Sequence, residues 1–189
     1  MDHSDHVALL APGLPPPAGG EWADLGSGGG AFTLALADLL GPRGRIHSID
    51  RDAGALRRQR EAMRARFPAA DVRYWQADFT RPLELPALDG VVMANSLHFV
   101  RHKGPVLSLV RGYLKPRGRL ILVEYDSDRG NPWVPHPLSY PTWERLSLEA
   151  GFSQTRLLGR RPSSVLGAIY SALSLREGEG TDREPAPAF

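Results

Sequence analysis

The sequence predicts an α/β fold: a mostly parallel sheet with helices packed on its faces. Three observations predict it. Short apolar strands alternate with helical segments from Glu21 to about residue 124, which implies right-handed crossovers between parallel strands. The first strand runs directly into a loop of alternating glycines, Gly26, Gly28 and Gly30. The last third changes character and offers two adjacent strands that read as a hairpin-like pair. A chain of 189 residues is long enough for one such domain with a sizeable core.

In chain order, residues 1–20 are proline-rich, with PPP at Pro15–Pro17, and within them HVALL (His6–Leu10) suits one or two helical turns. EWADL (Glu21–Leu25) is the first strand. Phe32–Leu40 is apolar around much of its circumference, as a helix packed on a sheet must be, and Gly41-Pro42 stops it. RIHSID (Arg45–Asp50) is the second strand. Ala53–Phe67 reads as a helix, with Leu56, Met63 and Phe67 on one face and Pro68 at its end. Val72–Gln76 is the third strand. Leu88–Ala94 is the fourth, nearly continuous in apolar residues, as a strand covered on both faces should be. Val106–Leu114 is helical and Arg119–Glu124 is the fifth strand. A proline-rich aromatic loop (Asn131–Pro141) precedes a helix over Thr142–Ala150, ended by Gly151. Gln154–Leu158 and Val165–Leu173 are the last two strands. The expected organisation is a short N-terminal segment (1–20), one domain (21–175) and a disordered tail (176–189) with almost no apolar content.

Composition narrows the function. No run of about 18 apolar residues exists to span a membrane, and the N-terminus lacks a signal peptide's basic start and apolar core. Cysteine is absent, which excludes disulfides and thiolate metal sites and fits a cytoplasmic protein. A net charge of +2 argues only weakly for a nucleic-acid partner. Arg57, Arg58, Arg60, Arg64 and Arg66 are better explained as a solvated helix face than as an RNA-binding one.

In an open parallel sheet, ligands bind beyond the carboxyl ends of the strands, where the glycine loop lies. Gly26 to Ala31 satisfies the dinucleotide pattern G-x-G-x-x-A. Asp50 ends the second strand 24 positions after Gly26, near the offset of a ribose-binding acid. Adenosine therefore fits either reading, and the open question is what it carries. Asp24 would repel a pyrophosphate and welcome a ligand ammonium. Asp78, after the third strand, can accept from an adenine amine. A dehydrogenase usually carries a second, substrate domain, for which this chain has no room.

At these residues the chain resembles a class I S-adenosylmethionine-dependent methyltransferase. The matching blocks, in order, are ADLGSGGG, IHSIDRD, WQADFTRPL, LDGVVMANSLHFV and YLKPRGRLILVE, covering roughly Glu21 to Glu124. Gly29 is a departure that makes the loop looser than the usual form. The resemblance implies a Rossmann-like three-layer sandwich with seven strands in the order 3-2-1-4-5-7-6, strand 7 antiparallel. It implies that Asp24 and the Gly26–Gly30 loop, Ser27 included, hold the methionine portion. By the same resemblance Asp50, with Arg51 beside it, holds the ribose, Asp78 with Ala77 and Phe79 the adenine, and Asn95 the sulfonium end. The block NSLHF differs from the N/D-P-P-Y/F of base-amino methyltransferases and is closer to small-molecule enzymes of the quinone-biosynthesis type.

Methyl transfer from an activated sulfonium needs alignment and water exclusion more than a catalytic triad. Candidates on the acceptor side are His98, Tyr125 and His136, from the loops after strands four and five. His98 is a general base or a packed capping residue, and the loop carrying Trp133, His136 and Tyr140 is a pocket wall or a rigid connection. His98 and His102 lack a third ligand, so no metal is expected. The leading reading is methyl transfer to a small molecule. The alternatives are a cofactor-binding protein without catalysis and an NAD-dependent reductase. The open sheet edges permit a homodimer without requiring one.

Overall fold

The computed structural model describes residues 1–16 and 18–178. Beyond residue 178 the expected tail lies outside the described residues. The strands are β1 (Gly20–Leu25), β2 (Gly44–Asp50), β3 (Asp71–Gln76), β4 (Leu88–Ala94), β5 (Leu114–Tyr125), β6 (Phe152–Ser163) and β7 (Gly167–Arg176). The helices are α1 (His3–Leu10), α2 (Ala31–Leu40), α3 (Ala53–Arg66), α4 (Lys103–Tyr113) and α5 (Tyr140–Glu149). The seven strands form one sheet in the order 3-2-1-4-5-7-6. β7 runs antiparallel to β5 and β6, and the other pairings are parallel. The expected fold class, strand order and orientation are borne out.

Alternation along β4 divides the core into two layers, because successive side chains leave opposite faces of a strand. Val91 and Met93 face α4 and α5, where Val106, Leu107, Val110 and Trp143 are buried. Val92 and Ala94 face the other layer, made by Leu9, Leu10, Phe32, Leu36 and Met63. α1 is therefore part of the sandwich. Its start is fixed by a capping box between Asp2 and Asp5, and His6 packs edge-on against Phe32, with ring centroids 4.7 Å apart. α3 is capped by the Asp52 carboxylate, which accepts from the Gly54 and Ala55 amides. No helix among the described residues is long and apolar enough to cross a membrane.

Several boundaries differ from expectation. The alternation breaks between β3 and β4, where residues 77–87 form an irregular loop. Pro82 and Pro86 exclude a helix there by removing donors and restricting the residues before them. The Tyr113 hydroxyl anchors the loop by accepting from the Leu83 amide at 2.8 Å. β5 starts at Leu114, with a register shift between Leu88 and Gly90 that lets Lys115–Gly118 stay in the strand. β6 and β7 are longer than their apolar runs, and Val165 lies in the turn between them. Arg176, the first residue of the expected tail, ends β7, where its guanidinium donates to the Leu114 carbonyl.

Candidate active site

The strand order reverses direction between β1 and β4, and a cleft of about 450 Å³ opens at their carboxyl ends. Gly26, Gly28, Asp50, Arg51, Ala77, Asp78, Phe79 and Asn95 line it, as the sequence leads one to expect, together with Ser96 and Phe99. The loop is pinned to β2, since Gly26 and Ser27 donate to the Ile49 carbonyl at 2.9 and 3.0 Å. Gly26 has φ +78, and a Cβ there would strike the Ser96 side chain, so glycine is required by both backbone and space. Asp50 is half-buried. Its Oδ2 accepts from the Gly28 amide at 2.7 Å and its Oδ1 from the Asp52 amide at 2.8 Å. Asp78 is exposed, and its Oδ1 accepts from the Thr80 hydroxyl and amide at 2.7 and 2.9 Å. The Thr80 hydroxyl, chiefly, holds the Asp78 carboxyl below the usual range. Asn95 sits in the left-handed region, with φ +51, and its Oδ1 is buried without a hydrogen-bond partner.

Three residues expected in the cleft lie outside it. The Asp24 carboxylate points beneath the loop and accepts from the Thr33 hydroxyl at 2.5 Å, so it does not face the space a ligand ammonium would occupy. A strand-end acid can point either way, and here the pleat turns it inward. The Ser27 hydroxyl turns down toward Ser48, and Gly30 caps α2. Burial pushes the Asp24 carboxyl up to about 7, against the opposing Thr33 hydrogen bond and with Asp50 adding to the rise. The folded protein then holds this proton up to about pH 7, while the unfolded chain loses it near 3.8. Between those values the folded state binds more protons, so stability falls as pH rises, by roughly 4 kcal/mol in all. Asp24→Asn is expected to melt about 5 °C or more above wild type at pH 8, with the gap closing toward pH 4. A gap independent of pH in parallel thermal melts would place the proton elsewhere.

Beside the cleft lies a second hollow of about 490 Å³, bordered by Asn95, His98, Phe99, Tyr125, Trp133, Val134 and Val165. Asn95 and Phe99 border both spaces. His98 is buried, with Nδ1 2.8 Å from Glu124 Oε2, and its backbone amide donates to Glu124 Oε1 at 3.0 Å. Glu124, at the end of β5, is 0% exposed. With the Nδ1 proton given to Glu124, Nε2 is the basic nitrogen of His98. Burial first, and Glu124 second, push the Tyr125 hydroxyl up, so it stays protonated. Its ring meets His98 edge-on, with centroids 5.7 Å apart. The Lys103 ammonium donates to the Val100 and His136 carbonyls, each at 2.9 Å, and ties the His98 turn to the aromatic loop.

Residues 18–150 match a family described as a methyltransferase domain. The chain belongs to this methyltransferase family. The ubiquinone/menaquinone biosynthesis C-methyltransferase UbiE of Ectopseudomonas mendocina is 32% identical over 115 residues, or 60% of this chain and 44% of that protein. UbiE of Stutzerimonas stutzeri is 31% identical over 108 residues, covering 57% and 42%. The chain thus spans less than half the length of these curated relatives. Among solved structures, the CurJ carbon methyltransferase has a TM-score of 0.71 at 21% identity, covering 87% of this chain and 50% of that one. The arsenic(III) S-adenosylmethionine methyltransferase of Chlamydomonas reinhardtii has a TM-score of 0.69 at 19% identity, covering 89% and 67%. At those identities the likeness is one of fold.

Within this methyltransferase domain, the structure brings His98 and Tyr125 to the second hollow but not His136. That residue meets the site through its backbone, which donates to the His98 carbonyl at 3.0 Å and accepts from Lys103. Glu124, like the cleft residues Ser96 and Phe99, is not among the site residues expected from the sequence. Its one signal is an acid closing the apolar run of β5. His98 lies in a 3₁₀ turn (Leu97–Phe99) and His102 is the exposed residue capping α4, so the two do not share a helix face. Among the described residues no three His, Cys, Asp or Glu side chains group to hold a metal. A more open hollow of about 580 Å³ runs along the β3 edge beside Arg60, Arg64, Arg73 and Tyr74. Although larger, it holds no converging acid or base, and the Arg60 guanidinium stacks 4.8 Å over the Tyr74 ring.

Proposed function

We propose that this methyltransferase moves the methyl group of S-adenosylmethionine to a small, uncharged, largely apolar acceptor with one ionisable O–H. The observation that carries the proposal is the shared border at Asn95, which joins an acid-lined cleft to an apolar hollow with one base. The cleft suits the cofactor. Gly28 opens into it with nothing near its α-carbon, the free Asp50 lone pairs suit a diol, and Asp78 Oδ2 suits an amine. The unpartnered Asn95 Oδ1 is a buried acceptor, which supports a role beside a cation or a donor.

When bound, S-adenosylmethionine supplies a methyl group already activated by a sulfonium. Asp50, Asp78 and the loop from Gly26 to Gly28 would hold it. His98 Nε2 takes the acceptor's proton, and Glu124 stabilises the resulting imidazolium before the proton passes to water. Phe99, Tyr125, Trp133 and Val134 exclude water from the acceptor. Loss of an O–H proton from an aromatic ring makes both the oxygen and the neighbouring carbons nucleophilic. The carbon methylation named in the relatives would follow the same deprotonation, the proton on the methylated ring carbon then leaving to water as the oxygen is reprotonated.

The test is calorimetric titration of the protein with S-adenosylmethionine, S-adenosylhomocysteine and NADH in parallel. Micromolar binding of the first two and none of NADH is expected. Binding of NADH alone would overturn the cofactor reading. A panel of apolar phenols and enols, scored by S-adenosylhomocysteine release, then seeks the acceptor.

A further inference from the structure

Five buried polar side chains lie in line beneath the glycine loop, and none of them borders the cleft. They are Ser27 of the loop, Ser48 of β2, Gln59 of α3, Thr33 of α2 and Asp24 of β1. The Ser48 hydroxyl lies 2.8 Å from Ser27 Oγ and 2.9 Å from Gln59 Oε1. The Gln59 amide nitrogen donates to Thr33 Oγ1, and that hydroxyl donates to Asp24 at 2.5 Å.

Each hydroxyl has a single proton, and this fixes the direction of the chain. The Gln59 nitrogen can only donate, so Thr33 accepts from it and turns its own proton toward Asp24. The Gln59 carbonyl then accepts the Ser48 proton, and Ser48 is left to accept from Ser27. The hydrogen bonds therefore run one way, from the loop to Asp24, and such chains strengthen each member. Gln59 is the link that donates from one atom, Nε2, and accepts at another, Oε1, and so spans from Thr33 to Ser48.

Gln59 meets the loop a second time. Gly30 has φ +87, and a Cβ there would run into Gln59 Cγ. A left-handed residue at that place must therefore be glycine. The side chain of Gln59 thus braces both ends of the turn, Ser27 through Ser48 and Gly30 directly. Between those ends, Gly28 and Gly29 have open space at their α-carbons.

We infer that Gln59 is a positioning residue for the cofactor loop. It holds the turn from Ser27 to Gly30 in the shape that presents Gly28 to the cleft, without touching the ligand. The inference rests on reading the cleft as the cofactor site.

The test compares wild type with Gln59→Met, which keeps volume but loses both hydrogen bonds, and with the milder Ser48→Ala. Amide hydrogen exchange of residues 26–30 is read in the ligand-free protein, because Gly26, Ser27, Gly28 and Gly30 all donate hydrogen bonds there. Both variants are expected to speed exchange in the loop about tenfold, the effect of losing one buried hydrogen bond, while the amides of β4 stay protected. S-adenosylhomocysteine affinity should fall by a similar factor. Unchanged loop exchange, or a rise shared equally with β4, would overturn the inference and leave Gln59 an ordinary core residue. If wild type bound no S-adenosylhomocysteine, the cofactor reading would fail, and loop exchange would still decide whether Gln59 braces the turn.

Discussion

Asp50→Ala is expected to weaken S-adenosylhomocysteine binding by about 100-fold, the combined effect of two lost charge-assisted hydrogen bonds. One of them is the ribose contact proposed for this carboxylate. The other is already present in the free protein, where Asp50 Oδ2 accepts from the Gly28 amide at 2.7 Å. The truncation therefore removes a ligand contact and a loop tether together, along with the Oδ1 contact to the Asp52 amide. Asp50→Asn keeps one accepting oxygen and should lose about tenfold. Because Asp50 is only half-buried, both variants should melt close to wild type. Calorimetry reads the affinities. A change below about threefold in Asp50→Ala would remove this residue from the site.

The second large effect concerns the buried pair in the acceptor hollow. His98→Leu leaves Glu124 in the core without its Nδ1 partner, retaining only backbone donors. Stranding a buried charge costs about 3–5 kcal/mol, which for a domain of this size lowers Tm by about 10 °C. Turnover on a confirmed acceptor should fall by about 10²–10⁴, the usual contribution of a positioned base. Replacing both residues, His98→Leu with Glu124→Leu, separates the two roles. The apolar pair should recover most of the lost Tm and none of the turnover. Full activity in His98→Leu would end the case for this residue as the base. An unchanged Tm would mean that the His98–Glu124 hydrogen bond does not hold the turn.

What the sequence made legible was local. Asp50 closes a strand, the glycine loop, Asp78 and Asn95 each follow one within two residues, and strand ends converge wherever a parallel sheet reverses its order. Knowing the order of strands was therefore enough to bring eight residues to one cleft. The direction of a side chain was harder. Asp24 sits at a strand end too, but the pleat turns it under the loop toward Thr33. Partnerships across sequence were harder again. His98 lies in the turn after β4 and Glu124 in β5, and nothing in NSLHF or RLILVE shows that they touch. Gln59 stands among arginines on a helix that reads as solvated, and only the packing of α3 against Gly30 shows what it does. His136 illustrates the converse, since a residue chosen for its imidazole serves through its peptide group. The loop after β3 carries no element in the sequence reading either, and Pro82 and Pro86 are the residues that keep it irregular.

That loop bears on how the protein can change. In a sandwich of this kind, most of the ligand-facing surface sits on tightly packed elements, where each substitution disturbs neighbours on several sides. Residues 77–87 instead form a proline-fixed margin held at Leu83 by one tyrosine hydroxyl, and exposed loops absorb insertions and replacements cheaply. The nucleobase end of the proposed pocket is thus its most evolvable wall. Selection, or a designer seeking to admit a cofactor analogue with an enlarged purine, can rewrite that margin while β1, β4 and their supporting helices stay as they are.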